Sequence, residues 1–341
     1  MRVGAIVTVP GRIPEEELGS QDRTSPQYLC QALGNGPLAC QEILGETLLQ
    51  RTLNALGDAG IHQQTVLVEE SGLESLFPSR LGTIGKFFSE WEASVERQLD
   101  EGAEILFLIR LGAYLDLDFA GVLDFHRQSS GVLTQVYAHK KAFDVAVVST
   151  SHLRGEKGSY RGRLSALIPY HKRYSFTGYT NPLREPRDLR QLAHDALLRR
   201  NSIRPVGEEV TPEVWMGEGA TVDPTARLSG PAYIGARTRV KGSCLINGST
   251  NIERDCEVDF GTTVTDSYVM PETYLGIGLN FVHSVVTANR LFHLDRNVGV
   301  EISDRNLLGK RWSTGALKKS IGKKDFFNRS ESELNRADSH L

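Results

Sequence analysis

Met216-Gly217-Glu218-Gly219-Ala220-Thr221-Val222-Asp223-Pro224-Thr225-Ala226-Arg227-Leu228 opens the stretch that decides the fold. Every sixth residue from Met216 is aliphatic: Val222, Leu228, Ile234, Val240, Ile246, Ile252, Val258, Val264 and Met270 follow it. Four places after each of the first eight stands a small residue: Ala220, Ala226, Ala232, Thr238, Cys244, Thr250, Cys256 and Thr262. Tyr268 is the first exception. Neither the 3.6-residue helix period nor the two-residue strand period produces this pattern. A strict period of six predicts a solenoid of very short strands, a left-handed parallel β-helix built on hexapeptides. One aliphatic side chain per hexad points inward and stacks on the next coil, and the small residue sits where the chain turns. Each buried aliphatic contributes about 1.5–3 kcal/mol, mostly offset by the ordering of the backbone.

The other half reads as alternating strands and helices. Val3–Val9 is a buried first strand, followed by a polar, Pro- and Gly-bearing segment to about residue 40. Leu49, Leu53 and Leu56 share one helical face, with Thr47 as N-cap and Gly60 as stop. A strand over Thr65–Val68, a helix over roughly 86–100, a buried strand over Ile105–Ile109, a helix over Phe119–Gln128 and a strand over Val132–Tyr137 follow. This alternation predicts an α/β domain with a mainly parallel, Rossmann-like sheet. The expected organisation is that domain over 1–205, the β-helix over 206–309 and a basic, flexible tail over 310–341.

Composition bounds the function. A formal net charge of -3 argues against nucleic acid as a partner. No run of 18 apolar residues is present, so no membrane span is expected, and Met1–Val7 lacks the length and cleavage site of a signal segment. A cytoplasmic protein is the expectation. Of four cysteines, Cys244 and Cys256 fill small-residue slots and read as packing; Cys30 and Cys40 show no metal spacing.

Several stretches of the first half are similar to the nucleotidyltransferase domain of sugar-nucleotide pyrophosphorylases. They are Leu44-Gly45-Glu46-Thr47-Leu48-Leu49-Gln50-Arg51-Thr52-Leu53-Asn54-Ala55-Leu56, Phe107-Leu108-Ile109-Arg110-Leu111-Gly112 and Asp116-Leu117-Asp118 before a helix ending in Phe125-His126. Gly178-Tyr179-Thr180-Asn181 through Pro186-Arg187-Asp188-Leu189, leading into His194-Asp195-Ala196-Leu197, continues the likeness. Many members carry a left-handed β-helix behind that domain, and Asn289–Leu291, Val300–Asp304 and Leu307–Gly309 resemble its tail. The resemblance implies transfer of a nucleotidyl group to a sugar 1-phosphate with loss of pyrophosphate. Chemistry of that type needs a glycine-rich loop against the phosphates and a divalent cation held by carboxylates.

The residues at those places differ from the family pattern. The loop reads Val9-Pro10-Gly11-Arg12-Ile13-Pro14-Glu15-Glu16-Glu17, where the family has Gly-Gly-x-Gly-Thr-Arg. Gly11 and Arg12 are the vestigial nucleotide-binding candidates. Pro10 lacks an amide donor, and the three glutamates repel a triphosphate. Leu38-Ala39 replaces the Lys-Pro before the first helix. The two metal-binding Asp positions hold Ala113 and Pro182. Asp116 and Asp118 stand nearby and read as helix capping. We therefore expect no catalytic residue, no metal site and no cofactor, with Mg²⁺ required only if a rearranged site is active.

Between Tyr137 and Gly178 a short, basic, tyrosine-bearing loop carries Arg154, Lys157, Arg161, Arg163, Lys172 and Arg173 with Tyr160, Tyr170 and Tyr174. Arg161, Arg163 and Lys172 are the candidates for a sugar phosphate or other anion; a solvated loop is the plainer reading. Hexapeptide solenoids also serve acyltransferases that use a histidine base, which makes His283 and His293 candidates. Past Met270 the period slips, and an open solenoid end invites pairing, so homo-oligomerisation through the β-helix, around residues 270–309, is expected. An active nucleotidyltransferase relative is a further expected partner. Lys310, Arg311, Lys318, Lys319, Lys323 and Lys324, interleaved with Trp312, Phe326 and Phe327, form either a mobile tail or a docking peptide for an acidic partner or membrane surface.

Overall fold

A computed structural model describes residues 2–10, 29, 33, 37–69, 80–155 and 158–311, without the side chains of 80–85. It is a mixed α/β structure with mostly parallel sheets and many short strands in its second half.

The first half is built on β1 (Arg2–Val9), β2 (Glu42–Ile43), β3 (Glu46–Thr47), α1 (Leu48–Asp58), β4 (Gln63–Val68), α2 (Arg80–Asp100) and β5 (Ala103–Arg110). Then come β6 (Tyr114–Leu115), α3 (Phe119–Gln128), β7 (Leu133–Ala138), β8 (Lys141–Ser149), α4 (Tyr160–Leu167), β9 (Lys172–Phe176), β10 (Thr180–Asn181) and α5 (Pro186–Leu197). Six strands form one sheet in the order β4-β1-β5-β8-β7-β9. β1 runs parallel to β4 and β5, and β7 parallel to β9, while β8 is antiparallel to both neighbours. α1 and α3 cover one face, where Leu56, Val122 and Leu123 meet Val7, Phe107 and Val147; α2 and α4 cover the other, where Val95 and Leu99 meet Ile6, Leu106 and Val148. α1 starts where its capping chemistry predicts: the Thr47 hydroxyl accepts the Gln50 amide at 3.1 Å.

The segment read as one short basic loop contains β8, α4 and β9. β7 and β8 are joined through His139 and Lys140, both in the left-handed region (φ 51° and 67°). That two-residue turn closes a hairpin without the Asn-Gly that usually announces one.

In the second half, strands recur in three parallel sheets visited in rotation. Val214–Met216, Thr221–Val222 and Arg227–Leu228 pair in turn with Ala232–Ile234, Arg239–Val240 and Leu245–Asn247, each partner 18 residues on. Eighteen residues are three hexads, so the hexad position that is aliphatic in sequence falls inside all three sheets. Ile234, Val240, Ile246, Ile252, Val258 and Val264 are all buried; Met216, Val222 and Leu228, on the first coil, are half-buried.

Met270 does not continue this row. From Ile252 onward the pairing offset drops to 17, and Val269 takes the inward place. Between Asn247 and Asn251 the chain turns through Gly248 and Ser249, both left-handed; the next coil makes the same corner with Asp266 alone (φ 50°). The slip thus starts one corner before it shows in the sequence. With the row reset, the small positions continue as Ser267, Thr273 and Ser284, all buried. Tyr268 is then no misfit in a small slot; it faces outward with Trp215, Tyr233 and Val285.

That outward row packs against Leu189, Leu192, Ala193 and Ala196 of α5 and against Ile43, Leu44 and Leu48, so the two halves share one apolar core. At its centre Glu253, fully buried, accepts the backbone amides of Leu44 (2.7 Å) and Gly45 (3.0 Å), the Asn251 amide (2.8 Å) and the Tyr268 hydroxyl (2.9 Å). Burial raises its pKa, and these donors oppose the rise. Leu308–Lys310 pairs antiparallel with Thr273–Leu275, and the Arg311 amide bonds Glu272 O at 2.8 Å. Residues 310 and 311 therefore belong to this fold and not to the tail expected from composition; residues 312–341 lie outside the described residues. No helix among the described residues is long and apolar enough to cross a membrane.

Candidate functional site

β1 ends at Val9, just before Pro10, and β5 at Arg110, and beyond these strand ends opens a cleft of about 850 Å³. α1 walls one side, the β7–β8 hairpin the other, and Leu48, Ile109, Leu111, Leu117, Phe119 and Ile203 are among its apolar lining. A crevice outside the carboxyl ends of parallel strands is where open α/β sheets hold ligands.

The chain brings Ala113 and Pro182, the positions where the resemblance leads one to expect carboxylates, to this cleft. β6 and β10 pair antiparallel with Tyr114 opposite Asn181, which sets Ala113 and Pro182 side by side at the cleft wall. Neither has a side-chain donor. Asn181 is buried and turned to its own loop: it donates to Asp188 O (2.8 Å) and accepts the Leu183 amide (3.0 Å). Asp116 accepts the backbone amide of Ser202 (2.9 Å), the Ser202 hydroxyl and the Tyr114 hydroxyl (3.3 Å). It staples the loop after α5 and caps no helix, contrary to the expectation. Asp118 occupies the N-cap position of α3 but makes no side-chain capping bond. Burial drives the Tyr114 pKa well up, so its phenol stays a donor. Among the described residues no three His, Cys, Asp or Glu side chains converge as a metal group would need. This donor set does not fit Mg²⁺, which takes carboxylate oxygens in near-octahedral array.

The cleft's two inner arginines, which the sequence reading did not single out, are already engaged. Arg110 makes a two-bond contact with Glu69 (Nε–Oε1 2.8 Å, Nη2–Oε2 3.0 Å) and lies 3.7 Å from Asp144. Its pKa is raised, first by that bond to Glu69. Arg51 donates to Ile43 O (2.8 Å) and pairs with Glu46 (3.1 Å); burial lowers its pKa and Glu46 opposes this. The signal for Arg110 was a charge ending the apolar run Phe107-Leu108-Ile109, but nothing in the sequence named Glu69 as its partner.

The other candidates lie elsewhere. Gly11 and Arg12 fall outside the described residues, as does Lys157. Arg161 stacks over Phe88 (4.1 Å), and Arg163 packs over Tyr160 (4.4 Å) while donating to Gly158 O (2.8 Å) and Leu153 O. Lys172 is exposed at the start of β9, and none of the three lines the cleft. His283 Nδ1 lies 2.5 Å from Asp295 Oδ1, and His293 Nδ1 is buried without a hydrogen-bond partner among the described residues. Cys244 and Cys256 sit buried in the small slots, and burial pushes the Cys256 thiol up to about 12.

No protein-family model matches this chain, and no curated protein matches it.

Proposed function

We propose that the chain is a relative of the sugar-1-phosphate nucleotidyltransferases, with a left-handed hexapeptide β-helix as its second half, in which the transfer chemistry has been lost. Its role is structural or regulatory in sugar-nucleotide or polysaccharide metabolism, in the cytoplasm, as a homo-oligomer or beside an active nucleotidyltransferase. One observation carries this reading: the cleft at the strand ends has a volume of about 850 Å³, and Ala113 and Pro182 line it at the positions where the resemblance expects cation-holding carboxylates. The pairing of Arg110 with Glu69 supports it, because a guanidinium so engaged does not offer its fork to a phosphate. Losing one electrostatic stabiliser typically costs about 10²–10³ in rate, and here several are missing together. The test is calorimetric titration with nucleotides and sugar nucleotides alongside an assay of pyrophosphate release. Binding without turnover supports the reading; metal-dependent turnover replaces it with a working nucleotidyltransferase whose site is rearranged.

A second reading is favoured by the His283–Asp295 contact. A carboxylate on Nδ1 orients an imidazole so that Nε2 can take a proton, as an acyltransferase base requires. It predicts that His283→Ala abolishes transfer from an acyl-CoA, and absence of CoA binding removes it.

A further inference from the structure

One aliphatic row crosses the largest sheet from its second strand, Val214–Met216, to its last. Reading the register strand by strand, Met216 lies opposite Ile234, then Ile252, Val269, Val286, Leu291 and finally Val300. Ile234, Ile252, Val269 and Val286 are fully buried. Leu291 is half-buried against the same core. Val300, on the last strand, Val298–Glu301, is 49% exposed, and Val298, two residues away on the same face, is 48% exposed. The row that organises the interior therefore runs out to a half-exposed valine on a strand that, among the described residues, has no neighbour on its outer side.

Sheet edges in folded proteins are normally guarded by charge, proline or a bulge. The opposite edge of this sheet, Glu208–Thr211, carries two glutamates and a register shift, and β9 presents Lys172 and Arg173. Val298-Gly299-Val300-Glu301 has no lysine, no proline and no register shift.

We propose that this edge pairs with the same edge of a second copy of the chain, antiparallel about a two-fold axis through Gly299. The strand is complementary to itself in that register. Val298 of one copy faces Val300 of the other, twice, and the four valines cover one another on the face that continues the interior row. Glu301 of one copy falls opposite Asn297 of the other, with Arg296 next in line, so the charges at the strand ends are of opposite sign. The backbone donors and acceptors of the outer side gain partners. The inference goes beyond the reading of the cleft and does not depend on it.

Sedimentation equilibrium on the full chain tests it. At about 100 µM, a concentration suited to an edge that buries less than a standard interface, the wild type has twice the chain mass. Val300→Lys, at a half-exposed site, raises the dissociation constant at least about tenfold and leaves the thermal transition in place. Val66→Lys, at the exposed edge strand β4, leaves association unchanged. A wild type that stays monomeric, a trimer or larger ring, or a Val300→Lys chain that dimerises like the wild type overturns the proposal.

Discussion

Gly45 shows how much one residue can decide. Its φ of +88° belongs to the left-handed region, and a Cβ there would stand 2.2 Å from the Tyr233 hydroxyl. The likeness to a known motif marked the glycine, but the reason for it lies 188 positions away in the second half. Gly45→Ala should cost about 1–3 kcal/mol in denaturant unfolding; a loss below a few tenths would mean the turn relaxes freely. Glu253→Gln should cost a similar amount, about 1–3 kcal/mol, because an amide nitrogen would then face the Leu44 or Gly45 amide, donor against donor.

His126 gives a pH signature. It is buried between the hydroxyls of Thr134 (2.8 Å) and Ser149 (2.9 Å), and burial brings its pKa down to about 4. Above the unfolded value near 6.5 both states are neutral and the full stability is present. As pH falls from there toward 4 the unfolded chain takes up a proton that the folded chain refuses, and stability is lost, by up to about 3 kcal/mol. Unfolding curves at pH 7.5 and 5 should show this slope in the wild type and a flatter one in His126→Asn. Equal slopes would remove His126 as its source.

At the scale of elements, the six-residue row was legible because burial between three short-stranded parallel sheets tolerates few side chains at each position. Ile252→Ala should cost about 2–5 kcal/mol, whereas Val222→Ala, on the half-buried first coil, should cost clearly less. Comparable losses at both sites would contradict the gradient of burial. What the period could not show is the corner at Asp266, since shortening a turn by one residue changes the register without altering any hydrophobic residue. Met270 therefore matched the period by coincidence, its side chain joining the core shared with α5. The helices α1 and α3 were legible from their spacing and the Thr47 cap. β8 was not, because its hairpin turns on His139 and Lys140, with no Asn-Gly or Asp-Gly pair to mark a two-residue turn.

For the whole molecule, the sequence singled out Ala113 and Pro182 through a resemblance, and the β6–β10 pairing brings them to one cleft. It was silent on Arg110 with Glu69 and on Asp116 with Ser202, because such pairs depend on strand order and loop path, not on local spacing. The basic residues that looked like an anion site, Arg161 and Arg163, instead pack on aromatic rings. If Arg110 is held by Glu69 and not by a ligand, Glu69→Gln should strengthen binding of a phosphate-bearing probe such as ATP about fivefold, the value of an exposed pair. Titration showing unchanged or weaker binding would mean that Arg110 does not face the ligand.

The central claim is that this cleft no longer performs nucleotidyl transfer. The direct measurement is pyrophosphate release by the full chain with Mg²⁺, a panel of nucleoside triphosphates and a panel of sugar 1-phosphates. The account predicts release no faster than in a protein-free control; a Mg²⁺-dependent rate that scales with protein concentration and vanishes with chelator would contradict it.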